Sequence, residues 1–270
     1  MASKLNSLEL NGSFYSMQFP TSYKAWYDAT PPDFVFSAKG SRFITHMLKL
    51  NNVETPLANF FASGILRLGE KLGPLLWQFP PQMKCDVERF EKFFNLLPRD
   101  GKQATKLARK HDSRLDGRSW LKSNNVGALR HAVEIRHESF QCSPFIDLLR
   151  KHNIALVVAD TARKFPFLED ITADFVYARL HGDVELYASG YSDAALDRWA
   201  ERVQLWRAGR QAKDAALNAK PMRNAAAGRD VYVYFDNDAK IRAPFDALGL
   251  ARRLGIQWNP PGELARRQVT

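Results

Sequence analysis

Cysteine is nearly absent from this chain: two residues in 270, Cys85 and Cys142, with no C-x-x-C pair. A disulfide framework and a zinc-knuckle reading both lose their support, and the chain fits a reducing, cytoplasmic setting. No apolar run approaches the roughly 20 residues of a membrane helix. The opening Met1-Ala2-Ser3-Lys4 lacks the apolar stretch of a signal peptide, so no membrane contact is expected. No G-x-G-x-x-G, G-x-x-x-x-G-K-[ST] or G-x-S-x-G occurs, so nothing names a nucleotide cofactor or a serine-hydrolase elbow. Acid is the scarcer charge, 29 Asp and Glu against 39 Lys and Arg, for a formal +10.

That excess is local. Residues 99–130 hold nine Lys/Arg and three Asp/Glu, a net +6, and residues 207–229 hold six and one, a net +5. The remainder is 10 − 6 − 5 = −1, a nearly neutral body. The two segments are either solvated insertions, the reading favoured by their having only Trp120 as an aromatic, or a contact surface for nucleic acid or another polyanion.

Strand-like runs alternate with helix-like ones. The strand candidates are Ser7–Phe14, Phe34–Lys39, Pro74–Gln78, Ala132–Arg136, Ala155–Asp160, Phe175–His181 and Val231–Asp236. Several are apolar until their last residues, as buried parallel strands are. Helix signals fall between them. Pro56 precedes an apolar stripe of Leu57, Phe60, Phe61, Ile65 and Leu68; Asp86 precedes Val87, Phe90, Phe94 and Leu97. Ser143-Pro144, Ser192 or Asp193, and Ala243 open three more. The pattern predicts an α/β fold, and without a glycine-rich first turn a TIM-like (β/α) barrel is preferred to an open sheet. One domain is expected over 1–258, with a tail at 259–270.

Barrel chemistry sits at the carboxyl ends of strands, and each candidate strand ends in polar groups. Glu9 and Asn11 come from the first, Lys39 from the second with His46 just beyond, and Gln78 from the third. Then follow Glu134, Arg136 and His137, next Asp160, next Arg179 and His181, and last Asp236, Asn237 and Asp238. Period-two alternation puts Glu134 with Arg136, and Tyr177 with Arg179 and His181. Singly, each has an ordinary structural reading. Together they predict a small-molecule site at the barrel mouth. Glu134 and Glu9, with His181, are the catalytic candidates. Asn11, Lys39, His46, Gln78, Arg136, Asp160, Arg179, Tyr191, Asp236 and Asn237 are the substrate-binding candidates. A divalent metal on Glu134, Asp160, His181 and Asp236 ranks lower, because no ligand spacing such as H-x-x-x-H stands behind it.

The chain also resembles the DUF72 family of YecE-like proteins. The resemblance rests on Leu8–Tyr15, on Phe34–Lys39 with Ile44-Thr45-His46, and on Lys71–Pro81. It continues in Ala132–His137, Thr172–Gly182, Tyr191-Ser192-Asp193 and Val231–Asp238. It implies a TIM-like barrel and supplies no reaction. Family members usually begin with a strand and turn similar to G-T-S-G-W-x-Y followed by a helix. This chain lacks that segment, so the barrel is expected without the family's first strand and helix. Three functions compete: a barrel enzyme using carboxylate acid/base chemistry on a small anionic or sugar-like substrate; a metal-dependent phosphodiesterase or DNA-repair-type nuclease; and a non-enzymatic module binding nucleic acid or protein.

Overall fold

The computed structural model describes residues 3–237 and 241–258, so Asp238 and the 259–270 tail lie outside the described residues. Seven strands run β1 (Ser7–Leu10), β2 (Val35–Lys39), β3 (Leu72–Gln78), β4 (His131–Glu134), β5 (Ala155–Asp160), β6 (Phe175–Leu180) and β7 (Asp230–Phe235). The helices are α1 (Gly12–Tyr15), α2 (Pro20–Asp28), α3 (Glu54–Ala62), α4 (Val87–Leu96), α5 (Gly101–Ala108), α6 (Ser143–Lys151), α7 (Asp193–Arg207) and α8 (Ala243–Arg253). Strand order follows chain order and the registered pairs are parallel, the TIM-like α/β class. No helix among the described residues is long and apolar enough to cross a membrane.

The chain divides into two compact units, one of Ala2–Phe79 with Glu88–His131, the other of Pro80–Val87 with Ala132–Trp258. In the first, Glu9 is paired with Ser37 and Lys39 with Leu76. Register therefore sets Glu9, Ser37, Lys39 and Gln78 on one face of the strands. The opposite face carries Phe36, Ala38, Leu75 and Trp77, all buried with Phe60 and Phe61 of α3 and Phe90, Phe93 and Phe94 of α4. Trp77 meets Phe93 edge-on at 5.3 Å and Phe60 at 5.6 Å. Its indole N–H donates to His131 Nδ1 at 3.1 Å, while His131 Nε2 donates to the Pro98 carbonyl at 2.8 Å. Burial pushes this imidazole down to about 3, so it is a neutral core residue.

Three expectations change here. The first strand stops at Leu10 rather than Phe14, because Gly12–Tyr15 turns helical and the Ser13 hydroxyl donates to the carbonyls of Leu10 (3.2 Å) and Lys39 (2.7 Å). The apolar stripe from Leu57 does not lie on one helix. Gly64, at φ +111° with Pro20 Cα only 2.5 Å from where a Cβ would stand, ends α3, and Ile65 and Leu68 sit in a tighter turn. Residues 99–130 are no plain insertion. Asp100 accepts from Gln103 N–H at 2.8 Å to cap α5, whose Ala104 and Ala108 are buried.

In the second unit, Val157 pairs with Tyr177 and Tyr177 with Tyr232, while Ala159, Arg179 and Tyr234 form the next row. With Ala132 opposite Ala155, one face carries Glu134, Val157, Ala159, Tyr177, Arg179 and Tyr234. The other carries Val158, Val176, Ala178 and Leu180, which pack with Leu196, Trp199, Val203 and Trp206 of α7 and Leu250 of α8. Ser192 is the cap of α7, accepting from Ala195 N–H at 3.2 Å. Residues 207–229 lead from α7 into Asp230, the amino end of β7. They are pinned where Glu169 accepts from Ala216 N–H and Asp170 from Asn218 and Ala219 N–H.

Candidate functional site

Arg179 sits fully buried near the carboxyl end of β6, an arrangement that costs several kcal/mol unless the charge is matched. It is matched on both sides. Nη1 donates to Glu134 Oε2 and Nη2 to Asp236 Oδ2, each at 2.7 Å, so one guanidinium ties the ends of β4 and β7 to β6. The other Glu134 oxygen accepts from Arg136 Nε at 3.1 Å. Arg136 also donates through Nη2 to the Tyr187 hydroxyl at 3.0 Å and lies 4.8 Å over the Phe165 ring. Glu134 is closed off from solvent, whereas the side chains of Arg136 and Asp236 keep 13% and 30% exposure. The buried ions are thus the clamp, and Arg136 is its solvent edge.

His181 fills the same face. Its Nε2 is 3.4 Å from Arg179 Nη1, and an arginine can only donate, so Nε2 is the acceptor and the proton sits on Nδ1. Nδ1 lies 3.3 Å from Asp236 Oδ2, at ion-pair distance but off the line of a hydrogen bond. Tyr187 packs edge-on against the imidazole at 5.4 Å. Two guanidiniums, two carboxylates and an imidazole thus share this face.

Asp160 does not belong to that group, contrary to the expectation that all strand ends aim at one point. It pairs in register with Leu180, on the face that packs against the helices. There its Oδ2 accepts from the Tyr191 hydroxyl at 3.1 Å, and that hydroxyl accepts from Gly182 N–H at 3.1 Å. Burial holds the Asp160 carboxyl above the usual aspartate range, with Tyr191 pulling it partly back. Gly182 is required at this turn: its φ is +127° and a Cβ would stand 2.3 Å from the Glu185 carbonyl oxygen. Tyr191 and Asn237, both read as ligand-binding, are buried braces. Tyr191 N–H and Asn237 Nδ2 both donate to Asp246 Oδ2, at 3.2 and 2.8 Å, and Asn237 also donates to Ser189 O.

The remaining candidates belong to the other unit. Lys39 places its ammonium 4.1 Å from the Phe14 ring, and His46 meets the same ring edge-on at 5.0 Å while its Nδ1 contacts Thr45 Oγ1 at 2.9 Å. Gln78 is buried, Glu9 is half-buried, and Asn11 has a buried Oδ1 without a hydrogen-bond partner among the described residues.

Four residues weighed as metal ligands do not converge: Arg179 stands between Glu134 and Asp236, and Asp160 occupies the opposite face. Among the described residues, no three His, Cys, Asp or Glu side chains group as a cation site. Sequence reasoning missed Phe165, Tyr187 and Asp246. Phe165 and Tyr187 lie in loops without periodicity. Asp246 reads as an ordinary acid in the first turn of α8.

The family model described as "Protein of unknown function DUF72" matches residues 1–268. Solved structures agree on the fold. A DUF72 family protein from Enterococcus faecalis V583 shares 17% identity with a TM-score of 0.68, over 95% of this chain and 87% of that one. Another, from Thermotoga maritima MSB8, shares 25% identity with a TM-score of 0.64, over 92% of this chain and 84% of that one. No curated protein matches. A TIM-like fold shared over nearly the whole length, together with the family model, leads to one assignment: the chain belongs to the DUF72 family.

Proposed function

We propose that the second unit binds a small anionic substrate at Arg136 and processes it by acid/base catalysis with Asp160 as the general acid. The observation that carries this reading is the state of Arg136. It is held in place by Glu134, Tyr187 and Phe165, yet among the described residues its hydrogen bonds use only Nε and Nη2, and it reaches solvent. A guanidinium fixed on one side and open on the other is a site for carboxylate or phosphate oxygens. The acid/base role moves away from Glu134, because both its oxygens accept from arginines and an ion so held exchanges protons poorly. Asp160 meets the requirement better: burial raises its carboxyl above the ordinary aspartate value, and it sits at a strand's carboxyl end. In this scheme Arg179 holds Asp236 and His181 fills the floor of the site beside it.

Thermal shift with inorganic phosphate tests the docking half. A ligand bound to the native state raises the melting temperature by mass action. Phosphate is expected to raise it in the wild type and not in Arg136→Gln. An equal rise in both would remove Arg136 from the role.

A second reading concerns the first unit. Its basic segment 99–130 contains one aromatic, but the fold supplies others: Arg67 lies 4.3 Å and Lys122 5.8 Å from the Trp120 ring, and Arg118 lies 5.3 Å from the half-exposed Phe19. Cations beside stacking rings suit single-stranded nucleic acid. Titrating a single-stranded oligonucleotide at increasing salt should then give an affinity that falls steeply with salt and drops in Trp120→Ala. Binding that ignores the Trp120 change would rule out the stacking surface.

A further inference from the structure

The sequence dismisses its two cysteines as isolated, but the fold brings them together. Cys85 lies between β3 and α4, and Cys142 stands at the N-cap of α6, 57 positions later (142 − 85). Both are unbridged and partly exposed, and Cys142 is near enough to Cys85 to help push its thiol up. The backbone around them is already docked. Cys85 N–H donates to Ser139 Oγ at 2.8 Å, and Ser139 sits in the turn Glu138–Phe140 with its Oγ 2.9 Å from His137 Nδ1. That turn follows Arg136 by two residues.

We propose that Cys85 and Cys142 are a thiol-oxidation site at which a hydroperoxide drives closure of a disulfide, stapling the Cys85 segment to the turn that follows Arg136. The Cys142 sulfur attacks the hydroperoxide; an S–O bond forms, the O–O bond breaks, and the alcohol leaves carrying the Cys142 thiol proton. The Cys85 sulfur then attacks the Cys142 sulfenic acid. The S–S bond forms, the S–O bond breaks, and water leaves carrying the Cys85 proton. Two thiols are oxidised and one hydroperoxide is reduced to alcohol and water. The order follows from the surroundings. Burial and the neighbouring thiol push Cys85 up to about 12, which suits it to resolve rather than to attack first. A transient disulfide of this kind is compatible with a reducing compartment.

The test treats the reduced full-length chain with tert-butyl hydroperoxide and maps its peptides by mass. A linked pair containing Cys85 and Cys142, lighter by two hydrogens and separated again by dithiothreitol, is the expected result. It should come with a higher melting temperature than the reduced chain. In Cys85→Ser the sulfenic acid has no resolving partner, so dimedone should label Cys142, while Cys142→Ser should leave Cys85 unlabelled. Sulfinic or sulfonic acid on either cysteine without the linked pair would overturn the proposal, as would a linked pair found only between two chains. Dimedone labelling of Cys85 in Cys142→Ser, at the rate seen for Cys142 in Cys85→Ser, would overturn the assigned order.

Discussion

Arg179→Met is expected to be the most damaging single substitution in the second unit. Methionine roughly fills the volume, so packing changes little. What is lost is the charge that sits 2.7 Å from both Glu134 and Asp236. Removing one partner of a buried ion pair leaves an uncompensated charge and typically costs about 3–5 kcal/mol. For a chain of this size each kcal/mol lowers the midpoint by roughly 2–4 °C, so calorimetry should show a drop of about 10 °C or failure to fold. The same logic applies to Glu134. Its neutralisation unpairs Arg179 and Arg136 at once, so Glu134→Gln tests the clamp as much as any chemistry. A midpoint within about 2 °C of wild type in Arg179→Met, the span of roughly one kcal/mol, would mean that the three strand ends are not held together by this ion.

Asp160→Asn is expected to behave in the opposite way, intact in fold and poor in turnover. Asparagine keeps an acceptor for the Tyr191 hydroxyl. The wild-type carboxyl is raised by burial, so between the ordinary aspartate pKa and its raised value the native state holds the proton that the unfolded state has lost. Stability therefore falls as pH rises through that window, and the neutral amide removes this term. At neutral pH the variant should melt no lower than wild type. Loss of a general acid costs about 100- to 10,000-fold in rate. Across a panel of phosphate monoesters and glucuronides, whichever compound the wild type turns over should be processed slower by that factor. The wild-type rate should fall as pH rises through the raised pKa of Asp160, a limb absent from the variant. Full turnover in Asp160→Asn would remove the residue from the mechanism.

The strands were legible because buried parallel strands leave long apolar runs, and all seven lie within a few residues of where the pattern sets them. Period-two alternation correctly grouped Glu134 with Arg136, and Arg179 with His181. Alternation also carried the information that separates Asp160 from them. In Ala155–Asp160 the last residue is out of phase with Val157 and Ala159, which share the Arg179 face. Reading every strand end as convergent overlooked that phase. Loop contributions were not legible. Tyr187 meets Arg136 from a backbone at φ +64°, a conformation costing roughly 1–3 kcal/mol that surrounding contacts must offset. The cysteines are free, as the absence of C-x-x-C spacing suggested; what local spacing does not encode is that the turn Glu138–Phe140 docks on the Cys85 backbone. The helix α5 was hidden by its charge, since Lys102, Lys106 and Arg109 mask the buried Ala104 and Ala108.

The account divides labour between two neighbouring strand ends: Arg136, just beyond β4, docks the anion, and Asp160, at the end of β5, moves the proton. Isothermal titration of inorganic phosphate into wild type, Arg136→Gln and Asp160→Asn measures that division directly. The account predicts binding by the wild type, binding at least as tight by Asp160→Asn, and none by Arg136→Gln. Phosphate bound by Arg136→Gln but lost in Asp160→Asn would contradict it.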